Sequence, residues 1–553
     1  MSRTLWAPRG ALWAGGLLCA AGALPLPALA DTLIDHVEGL TFDRAGTVER
    51  LTGIVIGNEG RIVQVLKSGD KRPARVDYLL DGKGRVLLPG LVDAHAHVMA
   101  LGLTALTLDL SSTKSLAEAQ ARVAAYAAAH PDRAWIVGRG WDSARWGTDA
   151  LPAAADLDAV VADRPVWLVS ADGHAGWANG AALKAAGITP ASKDPAGGRI
   201  ARAAPGGRPT GALIETALAL VDKVVPPPRP EDRDLALATA QDRLLASGIT
   251  AVTDMGTTIE DWQTYRRAGD AGTLRLRVVA YAAGTEAMSL IGGPAPSPWL
   301  YGDRLKLNGV ALTLDGGLAT RGAWLKAPYA DAAGQGGLSR LNPAQLRNLM
   351  SRAAIDRFQI AVEANGDAAV GAALDAVDEL AQTYKGDRRW RIEGLERVDP
   401  TDTARFAAQG VVAALRPGEL DPRAGTRLGP DRSPAGWPAA SLVKGGASLA
   451  FGSGTAAGAP EPFAAIAVAV NRTDPAGQPG ERIARDMALA AWTAGAAHAA
   501  FAENRFGRIA VGQQADFILV DRDPLLVGSG ELAATKVLET WVSGRKVWSA
   551  PGQ

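Results

Sequence analysis

The stretch "LLPGLVDAHAHVMALG", residues 87–102, decides how the rest of the chain is read. It is an apolar run that ends in His95 and His97, two residues apart, as a metal site requires. Working outward, the same pattern of a short apolar run followed by a turn or helix recurs along the middle of the chain. With "RVLLPGLVDAHAH" as the first, eight candidate strands can be counted, the others lying at 248–256, 275–282, 304–316, 358–367, 389–395, 410–417 and 447–454. Helical patterns such as "NPAQLRNLMSRAAIDR" and "DTARFAAQ" lie between several of them. Eight strands with crossover helices predict an α/β fold, a (β/α)8 TIM-type barrel whose chemistry sits at the strand C-terminal ends. The gap after the first strand, about 103–247, is too long for one crossover and predicts a large insertion or lid with its own elements.

Both ends read differently. "GTVERLTGIVIGNEGRIVQVL" and the C-terminal "GRIAVGQQADFILVDRDPLLV" alternate as short strands with Gly-containing turns. They predict one composite β-sandwich domain from residues 31–86 plus 506–550, with the barrel over 87–505. Residues 1–30 carry Arg3 and Arg9, an apolar stretch from Ala11 to about Leu24 and the small-residue end Ala28-Leu29-Ala30. They read as a signal peptide cleaved before Asp31, which predicts an exported, periplasmic protein. The apolar stretch is short for a membrane span, so a retained anchor is the weaker alternative. Cys19 is the only cysteine and lies within this segment, so the mature chain has no disulfide.

At 553 residues, 47% apolar and 21% charged, the composition is that of a globular protein. Without residues 1–30 there are 56 basic and 58 acidic side chains. That balance gives no support to nucleic-acid binding or to docking on anionic lipid and leaves a small molecule as the expected partner. No phosphate-cradling glycine loop and no Gly-x-Ser-x-Gly elbow is present.

The ordered set "PGLVDAHAHV", "GRGWD", "DGHAGWANGAAL", "GRPTGALIE", "LKLNGVALTLDGGLATRGAWLKAPYAD", "RIEG" and "GRIAVGQQADFILVDRDP" resembles the amidohydrolase superfamily. The similar branch is the family 3 type, which includes N-substituted formamide deformylases, and the resemblance covers essentially the whole mature chain. It implies a metal-dependent hydrolase of carbon–nitrogen bonds other than peptide bonds. It also implies a site built from an H-x-H on the first strand, a lysine on the fourth, histidines ending the fifth and sixth, and an aspartate ending the eighth. By that resemblance His95 and His97 match the first motif and Lys306 is the candidate lysine. The other positions depart from it. Glu363 stands in "EANGD" where H-A-x-G-D is usual, and "IEG" keeps Glu393 but has Gly394 for the histidine. "RPGE" puts Arg416 and Glu419 in place of Q-P-x-H, and "GSG" has Gly454 for the aspartate.

Glycine offers neither a ligand atom nor a proton acceptor, so two readings follow. In one, His95, His97 and Glu363, with Lys306 nearby, hold a single divalent ion such as Zn²⁺, and Glu393 is the catalytic base. In the other no metal binds, and Lys306, Arg321, Glu363, Glu393, Arg416 and Glu419 form a charge network in its place, Lys306 pairing with Glu363. His36, His130 and His498 lie in segments away from the barrel mouth and do not refill the site. Trp141, Asp142, His174, Arg321 and Arg416 are candidates to contact a small amide-type ligand. The plainer alternatives are that the tryptophans pack the insertion and that Arg321 pairs with a neighbouring acid. The corresponding functions are a carbon–nitrogen hydrolase with a reduced or absent metal site, or an inactive descendant that binds a small molecule in the periplasm.

Overall fold

In the computed structural model, which describes residues 31–552 apart from 204–206, 421–422, 434–435, 456–457 and 473–479, the run at 87–102 is two strands. Val86–Pro89 belongs to one sheet and Leu91–Ala96 to another, and the chain changes sheet at Gly90. A β-carbon on Gly90 would lie 2.3 Å from Thr250 Oγ1, so only glycine lets the two sheets meet this closely. The single strand expected here is thus a junction. The leader-like residues 1–30 lie outside the described residues.

Leu91–Ala96 opens a barrel of eight parallel strands, continued by Ile249–Thr257, Arg277–Ala283, Leu305–Thr313, Gln359–Ala364, Arg391–Gly394, Val412–Leu415 and Ser448–Phe451. Each run anticipated from the sequence overlaps one of them, Ile249–Thr257 and Arg277–Ala283 each reaching one residue further. The first strand is buried on both faces, as a continuous apolar run between barrel interior and outer helices must be. The last strand returns beside the first: the Gly454 N–H donates to the His95 carbonyl at 2.8 Å and the Ser453 N–H to Asp93 Oδ1 at 2.9 Å. The crossover helix Pro343–Ile355 is started by its own sequence: Asn342 accepts from the Gln345 N–H, and proline fills the first helical position.

Phe517–Val520, from the C-terminal end of the chain, runs antiparallel to Val86–Pro89 inside a second, eight-stranded sheet. The remaining strands of that sheet come from residues 32–81 and 537–549. The residues between the first two barrel strands form a third sheet of six strands, ending in Gly198–Arg202 and Pro209–Glu215. No helix of the described residues is long and apolar enough to cross a membrane.

Candidate functional site

His95, at the end of the first barrel strand, is 3% exposed. Its Nδ1 lies 3.0 Å from Glu393 Oε2, and its Nε2 lies 3.5 Å from Arg416 Nη1. Glu393, the penultimate residue of the sixth strand, also accepts from Arg391 Nε at 2.7 Å. Burial opposes the charge on Glu393, but Arg391 and His95 outweigh it and hold its pKa below the usual value. A carboxylate held in this way is a poor proton acceptor, and Glu393 is not on the wall of the cavity described below. Its position makes it the residue that orients His95.

His97 turns its Nδ1 to the Met255 carbonyl at 2.9 Å. Burial, then the neighbouring His95, push its pKa down to about 3, so the imidazole is neutral. Glu363, the penultimate residue of the fifth strand, has Oε1 3.3 Å from Arg416 Nη1 and 3.9 Å from His174 Nε2. Burial favours its neutral acid, but Arg416, His174 and His95 outweigh this and keep it charged.

Lys306 is absent from this group. Thr313, seven residues further along the same strand, is the residue paired with Glu363. At ~3.3 Å per residue, Lys306 therefore lies roughly 23 Å away, at the other end of the barrel. Its Nζ sits 5.9 Å from the ring centroid of Trp299. The expected Lys306–Glu363 pair does not form, and Arg416 takes the part given to the lysine.

Arg416 follows the seventh strand and is 6% exposed. Its guanidinium reaches Glu363, His95 Nε2, Asn365 Oδ1 at 3.3 Å and Glu419 Oε2 at 2.9 Å. Two glycines make room for it. A β-carbon on Gly394 would lie 3.2 Å from Arg416 Nη2 and 2.0 Å from Asn365 Oδ1. One on Gly454 would lie 2.6 Å from Arg416 Cδ and 2.4 Å from Glu419 Oε1. Both glycines have positive φ, 87° and 64°.

This donor set does not fit a divalent ion. One His95 nitrogen is committed to Glu393 and the other faces a guanidinium, while Glu363 is held by the same guanidinium. Among the described residues no group of three or more His, Cys, Asp or Glu side chains is placed to hold an ion. A fixed +1 charge stands where ligand atoms would have to converge, and it repels a second cation.

Above Arg416 opens a cavity of about 650 Å³ lined by Trp141, Asp142, His174, Arg321, Arg416 and Glu419, among others. The His174 Nδ1 lies 3.1 Å from Glu215 Oε2. Burial opposes its charge, but Glu215, with Asp172 and Glu363, raises its pKa to about 10, so it is an imidazolium at neutral pH. Burial raises the pKa of Glu419 despite Arg416. Trp141 both packs and lines: its Nε1 donates to the Leu168 carbonyl at 2.9 Å and its ring centroid is 6.3 Å from that of Trp177. Asp142 accepts from the Ala144 N–H at 2.9 Å and so shapes its own loop. Arg321 is paired with Asp331 at 2.7 Å.

Sequence reading passed over Glu215. It is 3% exposed, adopts φ 55° and binds His174 and Arg340. The available signal was glycine: β-carbons on Gly316 and Gly322, in "DGGLATRG", would lie 1.8 and 2.2 Å from its Oε1.

The comparisons with known proteins agree with this architecture. A model described as "Amidohydrolase family" matches residues 79–548. Protein LONG AFTER FAR-RED 3 of Arabidopsis thaliana is 33% identical over 550 residues, 95% of this chain and 92% of that one. The N-substituted formamide deformylase of Arthrobacter pascens is 26% identical over 516 residues, 89% of this chain and 94% of its own. A metal-dependent hydrolase of Pyrococcus horikoshii shares the fold, with TM-score 0.72 at 24% identity over 90% of this chain and 99% of its own. A match that runs from the composite sheet through the whole barrel and back leaves one lineage: this chain belongs to the amidohydrolase family.

Proposed function

We propose that this chain is a hydrolase that takes a small amide-type molecule into the cavity at the barrel mouth and cleaves its carbon–nitrogen bond without a bound metal. The observation that carries this reading is Arg416, buried against His95, Glu363 and Glu419 where a metal would need its ligands. A guanidinium there meets the negative charge that develops on a carbonyl oxygen under attack. Glu419, which faces the cavity with a raised pKa, is the proton carrier in this scheme. The oxygen of a water molecule bonds to the carbonyl carbon and its proton passes to Glu419. The carbon–nitrogen bond then breaks, and the same proton returns to the leaving amine. The His174 imidazolium adds a second positive charge nearby.

A second reading is retention of the ligand without turnover, favoured by Gly394 and Gly454, which supply neither ligand atoms nor a proton acceptor. In both readings the protein is exported, and no nucleic acid or membrane partner is involved. One experiment tests the proposal. The protein, expressed with its leader and recovered from the exported fraction with Asp31 as its first residue, is assayed on N-formyl and N-acyl amines with excess chelator. Amine release that survives the chelator and falls at least ~10²-fold in Arg416→Met is expected. Activity that requires an added divalent ion overturns the metal-free reading, and saturable binding with no amine release selects the second.

A further inference from the structure

The geometry points to a carboxylate-binding subsite on the cavity wall formed by Arg199, Arg321 and Arg427, so that the ligand is an amide that also carries an acid group. This inference rests on the reading of the cavity as the ligand site. Arg199 lies on the strand Gly198–Arg202 of the insertion and lines the cavity. Among the described residues its side chain makes no hydrogen bond and no ion pair within 4.0 Å. The acids acting on it through space are Asp194 and Glu215, and both are engaged elsewhere. Asp194 pairs with Arg202 at 3.5 Å, and Glu215 already holds His174 and Arg340.

Arg321 and Arg427 share a single carboxylate: their Nη2 and Nη1 lie 2.7 and 2.8 Å from Asp331 Oδ2. Arg427 is 1% exposed, and its Nε is buried without a hydrogen-bond partner. Among the described residues these three guanidiniums have a single ion-pair partner between them, Asp331. Arg321 is held there at φ 57°, in the left-handed region that costs a side chain energy. Like charges gathered at such cost fit an anion brought by the ligand, and the planar fork of a guanidinium matches a carboxylate with two parallel hydrogen bonds. The amide would then reach Arg416 on the floor of the same cavity while the acid group rests on Arg199 and Arg321.

The test uses matched pairs of N-acetyl amino acids and their C-terminal primary amides, which differ only in the charged group. Binding is measured by titration calorimetry on the full chain, with inorganic phosphate as a competitor. The acid of a pair is expected to bind at least tenfold more tightly than its amide. That preference should vanish in Arg199→Gln, shrink in Arg321→Gln and partly return in Arg199→Lys. Arg199 has no partner to lose, so its removal leaves the fold intact. Equal binding of acid and amide, or a preference untouched by Arg199→Gln, overturns the subsite while leaving the cavity reading standing. Failure of every acid and amide to bind overturns both. Phosphate binding as tightly as the best acid, with the same dependence on Arg199, overturns the assignment to a carboxylate.

Discussion

At the scale of single residues, the site is governed by which charges find partners. His174 shows this most directly, because its two ring nitrogens face Glu215 and Glu363. Its pKa is raised from an ordinary 6.5 to about 10, so the folded protein binds its proton more tightly than the unfolded chain does. The stability this contributes is complete below about pH 6.5 and is lost as the pH climbs through about 10. The thermal midpoint of the wild type should therefore fall between pH 6.5 and 10 by more than that of His174→Gln, with the two curves converging at the alkaline end. Parallel curves would mean that His174 is neutral in the fold. The sequence displayed His174 and the His95–His97 pair plainly, since a histidine in a Gly-rich loop or at a strand end is visible by type. It concealed their partners. Glu393, Glu215 and Arg416 lie 298, 41 and 321 positions away from the histidines they face, and nothing local to a histidine announces such a contact.

At the scale of elements, the strand ends carry the chemistry, and Lys306 lies outside the site for a reason already present in the sequence. Lys306 is the second residue of its strand, Leu305–Thr313, whereas a parallel barrel presents function from the last residues. The direction of the strand puts Thr313, not Lys306, at the functional end. The departures at the sixth, seventh and eighth strand ends, by contrast, were legible together and proved to be linked in space. Gly394 and Gly454 leave the volume that Arg416 fills. Gly454→Asp should therefore destabilise the protein by about 1–3 kcal/mol, from the clash with Arg416 Cδ and from a side chain at φ 64°. Arg416→Ala relieves the clash with Cδ but leaves the buried Glu363 with only the more distant His174 as a cation, so it is destabilising alone. Combined, the two should cost less than the sum of their separate effects, a coupling that denaturant melts arranged as a double-mutant cycle resolve. Additive effects would mean that the seventh and eighth strand ends are independent.

At the scale of the whole molecule, the barrel and the composite sheet are joined by buried polar contacts as well as by packing. The junction at Gly90 is one seam, and Arg277 with Asp516 is another. Arg277 opens the third barrel strand, and Asp516 immediately precedes the C-terminal strand Phe517–Val520. The guanidinium donates through Nε at 2.5 Å and Nη2 at 2.8 Å to the two carboxylate oxygens, and both side chains are almost fully buried. It also donates to the Asp303 carbonyl at 2.8 Å, while Asp516 accepts from the Ser543 N–H at 2.8 Å, so neither partner can turn to water if the other is lost. A buried pair of this kind adds little over an apolar substitute, but breaking it strands a charge. Asp516→Asn should accordingly lower the unfolding free energy by ~3–5 kcal/mol. Because the seam holds the composite sheet to the barrel, the loss should also divide the melt. The wild type should unfold in one transition seen equally by tryptophan fluorescence and far-ultraviolet circular dichroism. In the variant, the fluorescence change contributed by Trp541 and Trp548 of the composite sheet, isolated by difference against a Trp541→Phe/Trp548→Phe background, should come first. Coincident transitions in Asp516→Asn would mean that packing alone couples the two units and that Arg277 serves only its own barrel strand.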